Sequence, residues 1–134
     1  MILKGHTINR GKAEGEAIVT STPFSFAGEF DPSTGRISAP TQELFGQSLV
    51  DKIFVCPTGK GSSGAPSVSW QAKRDGKAPK AIICVEAEPV IAIAAITADI
   101  PMMDKLDRNP LRVIKTGDYI KIDATEGIVE VIGK

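Results

Sequence analysis

The residues best suited to chemistry lie in one short stretch, Pro57–Gly64, which reads PTGKGSSG and follows the apolar run IFVC. Its three glycines allow the backbone to approach a ligand closely, and Lys60 adds a positive charge. Ser62 and Ser63 supply adjacent hydroxyl groups. A turn from a strand into a helix presents free N–H groups and a positive dipole end. The stretch therefore predicts a site that binds a carboxylate or phosphate, in which Ser62 could take up a proton.

Two common motifs do not fit this stretch. A nucleotide-binding P-loop has Ser or Thr directly after its Gly-Lys pair and a glycine five positions before that pair. Here Gly61 follows Lys60, and Phe54 occupies the earlier position. The nucleophile elbow of hydrolases needs a serine between spaced glycines and a histidine partner, whereas the sequence offers Gly-Ser-Ser-Gly and one histidine, His6. A serine that merely caps the next helix, contributing about 1 kcal/mol, is the structural alternative.

The elements around this stretch predict how it is positioned. Asp51–Cys56 and Ala81–Val85 are apolar runs typical of buried strands. A helix is predicted over Ser62–Asp75, with Ser62 or Ser63 near its N-cap. A second helix is predicted over Pro89–Ile96, with proline in its first turn. Because this second helix is apolar all round, we expect it to be buried.

Strand-like patterns dominate both ends of the chain, where short runs rich in apolar residues are bounded by glycine or proline. The predicted strands are Ile2–Gly5, Glu16–Thr20, Phe24–Phe30, Tyr119–Asp123 and Ile128–Ile132. The last two flank a short Gly-containing connection and indicate a hairpin. Asp31–Gly35 indicates a turn, because proline presets φ and glycine adopts the left-handed conformation. Together these elements predict one mixed α/β domain over residues 1–134, with a barrel-like sheet and flanking helices.

Composition excludes several function classes. The 134 residues are enough for one domain with a single core, and the 16 basic and 16 acidic side chains balance. A balanced charge gives no indication of nucleic acid or of an anionic membrane as partner. The sequence lacks an apolar run of roughly 18 residues, as a membrane span needs. The N-terminal MILKGHTINRGK has no signal-peptide pattern, so we expect a cytoplasmic protein.

Metal chemistry is not expected from this chain alone. Cys56 and Cys84 both lie inside apolar runs, which is typical of buried thiols on strands. With no Cys-x-x-Cys pair and a single histidine, the sequence offers no zinc or iron–sulfur ligand set. A metal that takes part in the reaction would have to be held by another chain.

The sequence resembles the aconitases. Gly61-Ser62-Ser63 after a buried strand is similar to the Gly-Ser-Ser turn of their swivelling domain, and further segments resemble the small subunit of the aconitase X group. These segments cover nearly the whole chain; they are Gly15-Glu16-Ala17, SFAGEFDPSTGRI (25–37), FVCPTGKGSSG (54–64), EPVIAIAAITADIP (88–101) and TGDYIKIDATEGIVEV (116–131).

The resemblance implies a fold, a partner and a reaction. The fold would be the swivelling β/β/α domain. The partner would be a larger catalytic subunit that holds a 4Fe-4S cluster, and the pair would act as a hydro-lyase on a small anionic substrate. Archaeal members of the group dehydrate 5-phosphomevalonate to trans-anhydromevalonate 5-phosphate in a variant mevalonate route to isoprenoids. Bacterial relatives dehydrate cis-3-hydroxy-L-proline, which is the alternative substrate.

The resemblance also assigns residues. Ser62 matches the general base, and Ser63 matches a substrate-binding position. Gly64 stands where aconitases have a substrate-binding arginine, so that clamp cannot come from this position. Backbone N–H groups of Gly61 and Gly64 would then bind the substrate anion, and Lys60 or an arginine of the large subunit would replace the missing charge. The alternative from a different class of function is a subunit that binds a ligand but takes no part in catalysis.

Overall fold

The computed structural model describes residues 1–133, which contain ten strands and four helical segments. The strands are β1 (Ile2–Lys4), β2 (His6–Asn9), β3 (Lys12–Val19), β4 (Phe30–Asp31), β5 (Arg36–Ile37), β6 (Ile53–Cys56), β7 (Ala81–Cys84), β8 (Met102–Asp104), β9 (Tyr119–Asp123) and β10 (Ile128–Gly133). The helices are α1 (Phe26–Glu29), α2 (Ala65–Arg74), α3 (Pro89–Thr97) and α4 (Pro110–Val113).

Eight of the strands form one sheet in the order β1-β10-β9-β3-β6-β7-β8-β2, and β4 pairs with β5 separately. Strands β3, β6, β7 and β8 run parallel, and the other pairs are antiparallel. The two ends of the sheet, β1 and β2, are separated in sequence only by Gly5. The sheet therefore closes on itself through one kinked segment, which confirms the predicted mixed α/β fold with a barrel-like sheet.

The parallel strands are buried on both faces, which explains their uninterrupted apolar sequences. Ile53 and Val55 of β6 face the interior of the barrel and pack with residues of β7, β9 and β10. Phe54 and Cys56 point the other way and pack against α2, α3 and the segment between β3 and β6. Polar groups are thereby displaced from these strands to their ends.

Helices α2 and α3 cover the outer face of β6 and β7. The buried side of α2 consists of the small residues Ala65, Ser69 and Ala72, and the Ser69 hydroxyl donates to the Ala94 carbonyl of α3 at 2.9 Å. Helix α3 begins as predicted with Pro89 in its first turn.

The expectation that α3 is buried all round is wrong. It packs through Ile91, Ala94 and Ala95, while Ile93 is 51% and Ile96 53% exposed. The reason is geometric, because a helix lying on one face of a sheet leaves its opposite side uncovered by its own domain.

The phenylalanine-rich segment is not the predicted strand. Phe24, Phe26 and Phe30 are all buried, but α1, a short helical turn, interrupts the segment. Ser25 accepts a hydrogen bond from the Ala27 N–H, and Gly28 takes φ 85°, which turns the chain back. The rings meet edge to face, with Phe24–Phe26 and Phe26–Phe30 centroids 5.0 and 5.3 Å apart. Packing of the rings accounts for the spacing of Phe24 and Phe26, whereas Phe30 lies in β4 and pairs with Ile37.

Near the N-terminus, β3 is longer than the predicted Glu16–Thr20, because Gly15 lies inside the strand and does not end it. The turn at Asp31–Gly35 is confirmed, with the Gly35 N–H donating to the Asp31 carbonyl at 2.8 Å and a Gly35 φ of 76°. The C-terminal hairpin is confirmed by the pairing of Ile128 with Asp123.

Both cysteines are buried on strands, as expected. Cys56 and Cys84 are partners in the β6–β7 register, and their sulfur atoms lie 3.5 Å apart without a disulfide. The hydrogen bond with Cys56, together with burial, raises the pKa of the Cys84 thiol well above its usual range. Cys84 is therefore a packing residue and not a nucleophile. Across residues 1–133, no helix is both long and apolar enough to cross a bilayer.

Gly127 lies against Gly5, the residue between β1 and β2, and a substitution there can test whether this contact matters for closure of the barrel. Gly127 has φ 71°, its carbonyl accepts from the Gly5 N–H at 3.0 Å, and a Cβ at Gly127 would lie 2.8 Å from the Gly5 oxygen. Gly76 has nearly the same φ, 72°, but open space around its Cβ position. Both Gly→Ala changes incur the left-handed cost of about 1–2 kcal/mol.

We expect Gly127→Ala to lose a further ~1–3 kcal/mol, because the backbone of Gly5 must move. Urea unfolding of both variants measures the difference in the free energy of unfolding. Equal losses in the two variants would show that the Gly5–Gly127 contact does not matter for closure.

Candidate active site

The serine turn, defined here as Pro57–Gly64, joins the carboxyl end of β6 to the start of α2. Because β6, β7 and β8 are parallel, their carboxyl ends share one edge of the sheet, and the N-terminus of α3 lies at the same edge. In both open and barrel-like α/β folds, ligands bind at the carboxyl ends of the parallel strands. The sequence-predicted site residues therefore lie together at the position in the fold where binding is favoured.

The two serines lie at the exposed tip of the turn. Ser62, Ser63 and Gly64 are solvent-exposed, and Gly61 adopts φ 88°. The N-cap residue of α2 is Gly64, and no side chain caps the helix. The interpretation of Ser62 or Ser63 as the cap is therefore wrong. The Ala65 N–H donates instead to the main-chain carbonyl of Ser62, at 3.0 Å.

The first half of the turn is held by main-chain hydrogen bonds. The Phe24 N–H donates to the Thr58 carbonyl at 3.1 Å, and the Lys60 N–H donates to the Phe24 carbonyl at 3.2 Å. Gly59, between them, touches the start of α3, where the Glu88 carboxylate accepts from the N–H groups of Val90 and Ile91 at 3.0 and 2.6 Å. The turn is thus fixed against two neighbouring segments up to Lys60.

Lys60 forms an ion pair that the sequence did not indicate. Its Nζ lies 2.6 Å from Oε2 of Glu29, whose side chain is buried while that of Lys60 is half exposed. Oε1 of Glu29 accepts from the Ser25 N–H at 2.8 Å and from the Gln42 Nε2 at 3.0 Å. Glu29 and Gln42 are distant in sequence from the turn, so spacing could not reveal them. The available signal was a lone carboxylate between phenylalanines in FAGEF.

His6 is not paired with the serines. It lies on β2, three strands from β6 in the sheet, or about 14 Å at the usual strand spacing. Its Nδ1 lies 2.8 Å from Oδ1 of Asp104, and the other oxygen of this buried carboxylate accepts from the Ala87 N–H at 2.9 Å. The pair ties β2 and β8 to the connection that follows β7, and it contributes no base for Ser62.

The chain's own residues do not fit a metal or iron–sulfur centre. Within residues 1–133, no three side chains of His, Cys, Asp or Glu are grouped so that they could hold a metal ion. Cys56, the cysteine nearest the serine turn in sequence, is fully buried and packs in the core. Cluster ligation needs thiolates that can reach the iron, which neither cysteine provides.

Comparison with known proteins agrees with this geometry. Residues 2–131 match the aconitase X swivel domain. The chain belongs to the aconitase X swivel-domain family. A crystal structure of Thermococcus kodakaraensis aconitase X in its holo form superposes with a TM-score of 0.92 and 45% identity, covering 98% of each chain. The predicted swivelling domain is confirmed.

Curated relatives align over almost the same length. The phosphomevalonate dehydratase small subunit of Thermococcus onnurineus is 47% identical over 131 residues, which is 98% of each chain. That of Methanosarcina acetivorans is 43% identical over 130 residues, covering 97% of this chain and 90% of the relative. The words "small subunit" in these names imply a larger partner chain for those proteins.

In this aconitase X domain, the close approach of the turn to α3 can be tested at Gly59. A Cβ there would overlap the Glu88 carboxylate and lie 2.7 Å from the Ile91 Cβ, whereas a Cβ on Gly64 would meet only Ala27, at 3.8 Å. We expect Gly59→Ala to lower the free energy of unfolding by about 1–3 kcal/mol, since α3 or its cap must shift. Gly64→Ala, at φ −79° and without a steric clash, should lower it by less, at most about 1 kcal/mol, because alanine is a poorer N-cap than glycine.

Thermal unfolding of both variants, followed by calorimetry, measures the change in the free energy of unfolding. A Gly59→Ala protein as stable as the Gly64→Ala control would mean that the turn is not packed against α3.

Proposed function

We propose that this chain is the small subunit of a phosphomevalonate dehydratase. The complex removes water from (R)-5-phosphomevalonate and gives trans-anhydromevalonate 5-phosphate, a step of a variant mevalonate route to isoprenoids. The observation that carries this proposal is the agreement among curated relatives. These relatives are 41–47% identical over 96–98% of this chain, and each is named phosphomevalonate dehydratase small subunit. The exposed Gly-Ser-Ser turn at the ligand-binding edge of the sheet gives the chain a part in the reaction.

The part proposed for this chain is proton abstraction by Ser62. As an alkoxide, Ser62 removes the proton from the carbon next to the substrate carboxylate. The electron pair of that C–H bond forms the alkene, and the hydroxyl leaves from the neighbouring carbon. The proton moves to Ser62 Oγ, and the proton and the hydroxyl together account for the water lost. Departure of the hydroxyl is a task of the large subunit.

A serine needs help to act as a base, because its resting pKa is high. Two features of the turn favour its charged form: the start of α2, which no side chain caps, and the N–H groups around Gly61 and Gly64. The same groups suit the substrate anion, with Ser63 as a further donor. Gly64 supplies no side chain, so an arginine of the large subunit is the proposed clamp for the carboxylate.

The large subunit completes the site and holds the cofactor in this proposal. Dehydratases of the aconitase family typically use an iron–sulfur cluster, which supplies Lewis-acid chemistry when bound. We assign the 4Fe-4S cluster to the large subunit because the residues of this chain do not fit it. Three large apolar side chains on the helices, Trp70 of α2 and Ile93 and Ile96 of α3, are each about half exposed, which is further support for an assembled state.

The cytoplasm is the proposed compartment. Cys56 and Cys84 lie with their sulfur atoms 3.5 Å apart and are not bonded to each other. Adjacent free thiols are typical of a reducing environment, where disulfides are rare.

A paired assay tests the base. The chain is co-expressed with its large subunit, the cluster is reconstituted without oxygen, and dehydration of 5-phosphomevalonate is followed for the wild-type, Ser62→Ala and Ser67→Ala chains. Ser67 is an exposed serine on α2 outside the turn, so it is a matched control. We expect Ser62→Ala to lower kcat by about 10²–10⁴-fold with the complex still assembled, and Ser67→Ala to leave it unchanged.

The other outcomes contradict parts of the proposal. Turnover that survives in Ser62→Ala would make the serine turn a binding loop and favour the non-catalytic subunit. If the reconstituted wild-type complex dehydrates cis-3-hydroxy-L-proline and not 5-phosphomevalonate, the proposed substrate is wrong and hydroxyproline takes its place.

A further inference from the structure

A buried carboxylate lies directly beside the serine turn and has no role in the reaction described above. Glu29 is 7% exposed, yet it carries a negative charge in a segment of phenylalanines. A buried charge is costly unless it is paired and hydrogen-bonded. Glu29 meets both conditions, through the N–H of Ser25, the amide of Gln42 and the ammonium of Lys60.

The arrangement holds the Glu29 carboxylate in one position before Lys60 is considered. The Gln42 amide that donates to Glu29 also donates to the Pro23 carbonyl at 2.8 Å, and its oxygen accepts from the Thr22 hydroxyl at 2.9 Å. Gln42 itself is buried. Because these contacts satisfy the amide from several sides, Gln42 cannot rotate without losing hydrogen bonds. The carboxylate is thus a fixed anchor, and Lys60 is the partner that comes from the turn.

The anchor acts on the turn at the residue where main-chain support ends. Lys60 is bonded to Phe24 through its N–H and to Glu29 through its side chain, and the next fixed point is the Ser62 carbonyl. Only Gly61, which has no side chain, lies between them. Lys60 is therefore the last fixed residue before Ser62 on this side of the turn.

We propose that Glu29 is a positioning residue, which holds Lys60 by the ion pair and thereby fixes the serine turn with Ser62 in place for proton abstraction. The inference rests on the proposed function for its catalytic consequence, but the ordering of the turn is a property of this chain alone. In this proposal the main role of Lys60 is to hold the serine turn in place, and not to bind the substrate. Loss of the pair lowers kcat, because a base displaced by about 1 Å can cost 10²-fold in rate.

The first experiment needs no substrate. Amide hydrogen exchange is measured by NMR on the full chain at the hydrogen-bonded amides that report the turn, those of Phe24, Lys60 and Ala65. We expect exchange at these amides to be about tenfold faster in Glu29→Gln and Lys60→Met, and close to wild type in Lys60→Arg, which keeps the charge.

Glu16→Gln is the control for that experiment. It breaks a solvent-exposed pair with Lys52, whose atoms are 3.6 Å apart, and should leave the three amides unchanged. Unchanged exchange in Glu29→Gln overturns the proposal, whatever the reaction is. A uniform acceleration of exchange across the strands of the barrel overturns it as well, since the pair would then stabilise only the fold.

The second experiment uses the assembled complex. We expect Glu29→Gln and Lys60→Met each to lower kcat by about 10–100-fold with KM changed less than about threefold, and Lys60→Arg to recover most of the loss. The double variant should be no slower than the slower single variant, because both changes remove one interaction. A rise in KM at constant kcat in Lys60→Met would show that Lys60 binds substrate directly and would overturn the positioning role.

The two proposals fail in different ways. Full turnover in Ser62→Ala counts against Ser62 as the base, while the exchange experiment still decides whether Glu29 orders the turn. Turnover lost in Ser62→Ala but unchanged in Glu29→Gln leaves the base assignment intact and overturns the positioning role.

Discussion

Burial of β6 and β7 on both faces is the constraint on which the rest of the structure depends. Their side chains alternate between the barrel interior and the layer under α2 and α3, and all are apolar. Such strands cannot carry polar chemistry along their length, because every position would place an unsatisfied group in the core. The chemistry is displaced to the first residues beyond the strands. The serine turn is the result at β6, and the Glu88 cap is the result after β7.

The helices follow from the same constraint and complete the edge. Two parallel neighbours need a crossover between them, and here α2 and α3 supply these crossovers over the outer face of the sheet. Both helices start where a strand has just ended, so their positive ends lie at one edge. Only α3 has a side chain as its cap, Glu88, while α2 begins at Gly64 without one. The start of α2 thus has no side-chain cap, although the Ala65 N–H already donates to the Ser62 carbonyl and Pro66 has no N–H.

Sequence reasoning succeeded where a local pattern has one structural cause. The runs around Phe54 and Ile82, the C-terminal hairpin and the turn at Gly35 each depend on burial or on a φ that neighbours dictate. Sequence reasoning failed where the structure depends on contacts between residues that are far apart in the chain. The spacing of Phe24 and Phe26 imitates a strand, yet it serves ring contacts with each other and with Phe54, whose centroid lies 4.9 Å from that of Phe24. The turn itself was found from its residues, whereas the Glu29 anchor required the fold.

The exposed serine turn and the ordered network behind it have complementary consequences. In the isolated chain, the turn faces solvent, and a base that acts on a small anion works best when water is excluded. Under the proposed function, the large subunit covers the turn and excludes water from it. It also holds the cofactor that this chain's residues do not fit. An assembled site loses less entropy if one of its halves is already ordered. The buried contacts of Glu29 with Gln42 and Lys60 give that order in advance, so docking need only cover the turn and not fold it.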